Sequence, residues 1–580
     1  MENHVLERLR RPSAGRVGVV TSVSGSKLTG ALDVPDADAD SNEIVSASLQ
    51  IGGLVRIPGQ ASEVYGVVQS LRIERDPVHE RESRIAEIQV LGEVLKAQNA
   101  RFERGVSVYP ALGAAIQTTT RDDLATVYAA PDVSNVRIGS LSQDPSVPAF
   151  VLTDDLLGKH FAILGTTGCG KSCSVALILR SILATHPNGH IVLLDPHNEY
   201  ARAFGAQAEV IRPDDLEVPY WLLNFEETAS LMTTPNSETR EQETSILKRA
   251  VLDARQKYSA KDAPFITVDT PSPYRLTDLV RYIDTKMGEF EKPESSVPFL
   301  RLKARIEALG ADKRLGFMFP GHMIKDNLDE ILARLLRIPV SGRPVTLLDI
   351  SGMPGEVVDV VVSVICRVIF DYAVWSDRDR SAPVLLVCEE AHRYVPQADS
   401  AGFEPTKRAL SRIAKEGRKY GISLCLVTQR PSELSMSILS QCNTLFALRM
   451  SNERDHEFVR NALPECAQSF LSSLPALRTR EAIVVGEGVP VPMRVRFDEL
   501  DPAFRPHSDS ASFSDSWRRP DAAQDGSLLL ETIRRWRMQG RISAAAAADP
   551  ASAIRSVIDS RARPTTTPGE SRLHRYDPNR

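Results

Sequence analysis

The sequence predicts an α/β protein in which a parallel sheet is preceded by a small β-barrel and interrupted by a helical insertion. Three observations carry that expectation. Residues 15 to about 118 alternate short β-rich runs with turn signals. From about 150 onward, apolar strands of five or six residues alternate with longer helical patterns, the rhythm of a parallel sheet joined by crossover helices. Between about 225 and 340 that rhythm stops, and charged, helix-favouring sequence such as Arg240–Lys257 and Phe299–Leu309 takes its place.

Each segment follows in order. In the N-terminal part, Arg16-Val17-Gly18-Val19-Val20, Gly53-Leu54-Val55-Arg56-Ile57 and Val64-Tyr65-Gly66-Val67-Val68 are short, evenly spaced strand candidates with glycine punctuation, which argues for a barrel. The polar, acidic stretch from Pro35 to Glu43 reads as an exposed loop. The parallel-sheet candidates are Phe161–Leu164, Ile191–Leu194, Val345–Leu348, Val384–Cys388, Ser423–Val427 and Leu445–Leu448. The last 80 residues are rich in Ser, Pro, Ala and Arg, with 13 arginines against 10 acidic residues. There, Leu528, Leu529, Ile533 and Trp536 could share one face of a helix at about 526–540. The expected division is 1–118 barrel, 119–225 first part of the core, 226–340 helical insertion, 341–500 second part of the core, and 501–580 tail.

Length and composition set outer limits. At 580 residues the chain exceeds one compact core, and its 42% apolar and 25% charged content is that of a globular protein. A net charge of −5 gives no global basic field, although a pore can carry basic residues while the outside stays acidic. Seven scattered cysteines without a C-x-x-C pair read as reduced thiols rather than disulfides or a zinc site. Met1-Glu2-Asn3-His4 lacks the basic and apolar regions of a signal peptide, and no apolar run approaches the roughly 20 residues that span a bilayer, so a cytoplasmic protein without a membrane anchor is expected.

The chemistry is concentrated in one motif. Gly165-Thr166-Thr167-Gly168-Cys169-Gly170-Lys171-Ser172 fits G-x-x-x-x-G-K-[ST] at every fixed position, between an apolar strand and a helical run from Ser174 to Leu183. Such a loop turns backbone N–H groups toward phosphates at a helix N-terminus; Lys171 reaches the β- and γ-phosphates, and the Ser172 hydroxyl joins a Mg²⁺ shell. The fold class sharpens accordingly to a RecA-like P-loop ATPase core binding ATP and Mg²⁺. A second acidic site is expected at the end of the strand Val384–Cys388, where Glu389 would orient the metal's water shell and Glu390 would act as general base. Gln429, ending the next strand, is placed to sense the γ-phosphate, with a plain Thr-Gln-Arg-Pro turn as the alternative. Ring motors complete such sites with an arginine from a neighbouring subunit, and Arg418, then Arg412, are the candidates, against a solvated basic helix end.

Taken together these residues resemble the HerA family of hexameric DNA translocases, over about 15–500. The motifs occur in the family's order: G-T-T-G-C-G-K-S, then Asp195-Pro196-His197-Asn198-Glu199-Tyr200, then Glu389-Glu390-Ala391-His392-Arg393-Tyr394, then Glu416-Gly417-Arg418-Lys419-Tyr420-Gly421. Phe102-Glu103-Arg104-Gly105-Val106 with Tyr109-Pro110 resembles the closing element of the family's barrel. The resemblance implies a homohexameric ring with ATP sites between subunits, duplex DNA in the pore, and a nuclease or other effector as partner, in end processing or anti-phage defence. Two positions depart from the family pattern: Glu389 stands for the usual Asp, and Asn198 for a Gly, which Asn can replace because it tolerates left-handed backbone angles. Asp195, His197 and Glu199 are expected near the site; for Asp195 a metal-water contact, the fixing of a neighbouring arginine and a structural turn held by Asp and Pro all remain open. Two other readings stay open as well: a nucleotide-gated scaffold that activates an effector, and a secretion- or conjugation-type ATPase.

Overall fold

A computed structural model describes residues 15–33, 49–75, 82–96, 101–234, 237–259, 261–289, 296–319, 324–377, 382–397, 403–463, 469–506, 513–518 and 526–537. The expected acidic loop at Pro35–Glu43, Cys466 and most of the tail lie outside them.

The first seven strands form one sheet: β1 (Arg16–Ser24), β2 (Lys27–Leu32), β3 (Leu54–Pro58), β4 (Ser62–Arg75), β5 (Glu82–Leu95), β6 (Phe102–Arg104) and β7 (Ala115–Thr118). Their order is β2-β1-β7-β3-β4-β5-β6, and a further β2–β5 pairing closes a ring of six strands. Closure removes the free edges that would otherwise template aggregation. Val20, Leu28, Val55, Ile57, Ile88 and Ile116 fill its interior. The expected closing element proves different: β6 hangs on the end of β5 outside the ring, and the pairing of Leu28 with Ile88 and its neighbours does the closing.

The second sheet has eleven strands in the order β12-β13-β11-β14-β15-β10-β16-β17-β18-β8-β9. These are β8 (Asn135–Leu141), β9 (Pro148–Leu152), β10 (His160–Leu164), β11 (His190–Asp195), β12 (Ala208–Ile211), β13 (Val345–Asp349), β14 (Val384–Cys388), β15 (Ile422–Thr428), β16 (Cys442–Leu448), β17 (Glu481–Gly486) and β18 (Met493–Phe497). Strands β12 to β16 in that order are parallel, as the apolar runs require: β10, β13, β14 and β15 are buried at every position. The remaining four are antiparallel, so the sheet is mixed rather than purely parallel. β18, Met-Arg-Val-Arg-Phe, alternates buried and accessible residues, the pattern of a half-covered antiparallel strand.

Between β12 and β13 the chain is helical, including Arg240–Tyr258, Leu276–Met287 and Val297–Ala311. Buried Glu227 fastens this segment to the helix Gly355–Trp375 through Arg367 at 3.0 Å. A helix also forms at Gly526–Arg537, as the tail's apolar spacing predicts. Among the described residues, no helix is long and apolar enough to cross a membrane.

Candidate nucleotide site

All the sequence motifs but one converge at the C-terminal ends of the central parallel strands, where open α/β sheets place their ligands. The strand β10 delivers the P-loop. Its first glycine is required by space: a Cβ on Gly165 would lie 2.8 Å from both Cys169 Sγ and Leu448 Cβ. Its last, Gly170, has φ +97°, a left-handed conformation open to glycine, and caps the helix Lys171–Thr185. The loop is braced from the neighbouring strand end, since Thr166 donates from both its N–H (3.1 Å) and Oγ1 (3.0 Å) to the Arg449 carbonyl. Thr167 Oγ1 donates to Gln429 Oε1, which ties the tip of the loop to the end of β15.

Lys171 is buried and faces two carboxylates at the end of β14: Nζ lies 3.8 Å from Glu389 Oε1 and 3.9 Å from Glu390 Oε1. Glu389 accepts a hydrogen bond from the fully buried Tyr200 hydroxyl at 2.9 Å. Burial, opposed by Lys171, pushes the Glu389 carboxyl up to about 7. Glu390 adopts φ 54°, a left-handed angle uncommon outside glycine. Its Oε2 is buried without a hydrogen-bond donor and lies 3.3 Å from His392 Nδ1, which is itself 2.9 Å from Thr428 Oγ1.

The Asp195–Tyr200 turn closes the other side. Ser172 Oγ donates to Glu199 Oε2 at 2.9 Å, and His197 Nε2 stands 3.9 Å from Glu390 Oε1. The Asp195 carboxylate accepts the backbone N–H groups of His197 (3.2 Å) and Tyr200 (3.0 Å) and so pins the turn. Burial raises its carboxyl above the ordinary range. Asn198, at φ 53°, has the left-handed angle its place in the turn requires.

The two arginine candidates lie elsewhere. Arg418 belongs to the single turn Gly417–Tyr420 just before β15, at the opposite end of that seven-residue strand from Thr428, roughly 20 Å from its own chain's loop. Arg412 packs over the Phe370 ring at 4.3 Å, on the helix Glu404–Glu416. Tyr200, Thr428, Arg449 and Arg480 were not singled out from sequence as site residues. A Tyr that donates to a buried carboxylate carries no local pattern of its own; only the D-P-H-x-E-Y element hinted at Tyr200.

A metal would find a partial set of ligands here. The Ser172 hydroxyl and the Glu389 carboxylate face the loop, and the donor-less Glu390 Oε2 leaves acceptor capacity unused. Among the described residues no three His, Cys, Asp or Glu side chains converge into a protein-only cage. Ser172 and Glu389 match the one or two protein groups through which Mg²⁺ binds alongside waters and substrate phosphates.

Comparison with known proteins bears on the same residues. Residues 136–369 match the family described as "Helicase HerA, central domain", a span that holds the P-loop and the Asp195–Tyr200 turn. A DNA double-strand break repair helicase HerA of Pyrococcus furiosus is 26% identical over 462 residues, covering 73% of this chain and 79% of that protein. This chain is similar to HerA proteins over most of its length. A probable helicase of Methanocaldococcus jannaschii is 26% identical over 475 residues, 78% of this chain and 87% of its own length. Among HerA proteins, the double-strand break repair helicase of Sulfolobus acidocaldarius is 24% identical over 449 residues, 74% of this chain and 80% of its own length. Of solved structures, VirB4 of Thermoanaerobacter pseudethanolicus aligns with a TM-score of 0.44 at 16% identity, covering 65% of this chain and 99% of that one. With an intact P-loop inside the matched central domain, this chain is an ATPase.

Proposed function

We propose that this protein uses ATP to move along duplex DNA as a homohexameric ring, and that it serves a nuclease or other effector in DNA end processing or anti-phage defence. The observation that carries the reading is the placement of Lys171 within 4 Å of both Glu389 and Glu390 at the mouth of a P-loop, in a chain whose relatives are named DNA repair helicases.

The roles follow from position. Backbone N–H groups of Gly165–Ser172 and the positive end of the helix Lys171–Thr185 hold the triphosphate, with Lys171 between the β- and γ-phosphates. Ser172 and Glu389 would hold Mg²⁺, which when bound would supply charge neutralisation at the phosphates. Glu390 takes the proton of the attacking water, and its strained backbone aims the carboxylate at the loop. Gln429, already bonded to Thr167, reports on the γ-phosphate. Arg418, far from its own site, serves a neighbour's site across the ring. A pore that binds phosphates reads no base sequence and loses affinity steeply with salt.

The test is steady-state ATPase activity of the full chain with and without linear duplex DNA, beside Glu390→Gln. The expected result is a rate that duplex DNA raises several-fold and that Glu390→Gln lowers by about 100-fold or more. A Glu390-dependent rate indifferent to DNA would move the assignment to a nucleotide-gated scaffold or a protein-cargo ATPase.

A further inference from the structure

The turn that carries Glu390 also carries an imidazole to which the phosphate chemistry above gives no part. The left-handed φ of Glu390 leads the chain off β14 into the single 3-10 turn Ala391–Arg393, closed by the Arg393 N–H on the Glu390 carbonyl at 2.9 Å. Ala391 is fully buried, and the turn brings the His392 side chain, 12% exposed, back beside Glu390. The two oxygens of the Glu390 carboxylate then face different groups. Oε1 has Lys171 Nζ and His197 Nε2, each at 3.9 Å. Oε2 is buried, accepts no hydrogen bond, and has His392 Nδ1 at 3.3 Å. A buried charged acceptor is costly to leave without a donor, so this oxygen has strong demand for one.

Strand β15 supplies the competing acceptor. It runs parallel to β14 with Leu426 opposite Cys388, so Thr428, two residues on, comes level with Glu390. Thr428 is fully buried, and its Oγ1 lies 2.9 Å from His392 Nδ1 while accepting the Arg430 N–H at 3.0 Å. The next residue, Gln429, accepts from the Thr167 hydroxyl at the tip of the P-loop. A continuous path therefore runs from the loop tip through Gln429, Thr428 and His392 to the Glu390 carboxylate. A carboxylate oxygen at 3.3 Å favours a proton on Nδ1 over a lone pair, and that one N–H then has two acceptors to choose between.

We infer that His392 is a positioning residue for Glu390, whose Nδ1–H rests on Thr428 in this structure and passes to Glu390 Oε2 when Gln429 draws the end of β15 toward a γ-phosphate. The new bond steadies the carboxylate with Oε1 turned to the loop, so the base is held in place once the phosphate has been sensed. A general base works only within hydrogen-bond reach of its proton, which is how a ring that never touches the nucleotide can set the rate. The inference rests on the readings of Glu390 as base and Gln429 as reporter, and adds the link between them.

The test uses the full chain with Mg²⁺ and linear duplex DNA. Steady-state rates give kcat, and calorimetry with a non-hydrolysable ATP analogue gives nucleotide affinity. His392→Leu removes the N–H at similar bulk, whereas the amide nitrogen of His392→Asn restores one near the place of Nδ1. The expected result is kcat about tenfold or more lower in His392→Leu, analogue affinity within about twofold of the parent, and a kcat in His392→Asn that recovers at least about threefold over His392→Leu. Thr428→Val should change kcat about threefold or more in the parent and less than about twofold in His392→Leu, because its influence passes through the ring. Parental kcat in His392→Leu, equal rates in the Leu and Asn variants, or a loss of analogue affinity that matches the loss of kcat would overturn the assignment. Undiminished turnover in Glu390→Gln would instead fail the reading of Glu390 as base.

Discussion

Glu389 is held where a carboxylate is costly to ionise: it is fully enclosed, with Lys171 at 3.8 Å and the Tyr200 hydroxyl at 2.9 Å as its partners. Its carboxyl rises from the ordinary 4.5 to about 7 because burial outweighs Lys171. The folded state therefore binds that proton more tightly than the unfolded chain does. The stability it contributes is complete below about 4.5 and is lost as pH rises through about 7. In the nucleotide-free protein, Glu389→Gln removes that loss. Thermal melting should show a variant-minus-parent Tm difference near zero at acid pH, growing to a plateau above about 7. A difference that stays flat with pH would mean that Glu389 is not the titrating group. The same residue-scale view explains what sequence could and could not show. The type and spacing of Lys171, Ser172 and the Glu389-Glu390 pair are a local pattern. The Tyr200 bond to Glu389 joins residues 189 apart, and no local pattern encodes it.

At the scale of elements, β15 matters because its two ends do different things. Its C-terminal end brings Thr428 beside His392 and Gln429 against Thr167. Its N-terminal end carries Arg418 away, on the side where the positive charge of Arg418 bears on buried His160. An arginine there is too far to reach its own loop, and in the proposed ring it would serve a site on another copy. Arg418→Ala should lose hydrolysis, and so should Lys171→Ala. Mixing the two inactive proteins should restore part of the ATPase rate, since some interfaces would pair an intact loop with an intact arginine. No recovery across all mixing ratios would count against a contribution in trans. Element by element, the all-buried parallel strands were legible because an unbroken apolar run such as Val384–Cys388 has one comfortable home. β8, β9, β17 and β18 were not read, since β18 alternates and β8 is interrupted by Gly139, where a Cβ would meet the Arg496 carbonyl at 2.2 Å.

For the whole molecule, the reading implies that assembly and turnover are linked, because a site completed by a neighbour needs the neighbour. Glu390→Gln with ATP and Mg²⁺ should hold that interface closed. Light scattering coupled to size exclusion should then report a mass near six times the 63.8 kDa chain. A mass that remains that of one chain would argue against the ring. The barrel is fastened to the core by Tyr65, whose hydroxyl donates to Asp123 at 2.9 Å, and by Arg56 at 3.3 Å from the same carboxylate. Burial and Asp123 together push the Tyr65 phenol well above its usual range, so this fastening stays neutral on the tyrosine side.

The sequence by itself determined the parallel core, the helical stretch, the P-loop and the acidic strand end, because each is written within a few consecutive residues whose side chains dictate local geometry. It also carried the family's motif order and the left-handed turn at Asn198. Tertiary structure alone decided which strand closes the barrel, that the sheet turns antiparallel beyond β16, and that His392 stands between Glu390 and Thr428. Those features depend on contacts between residues tens to hundreds of positions apart, and only the packing of the folded chain brings such residues together.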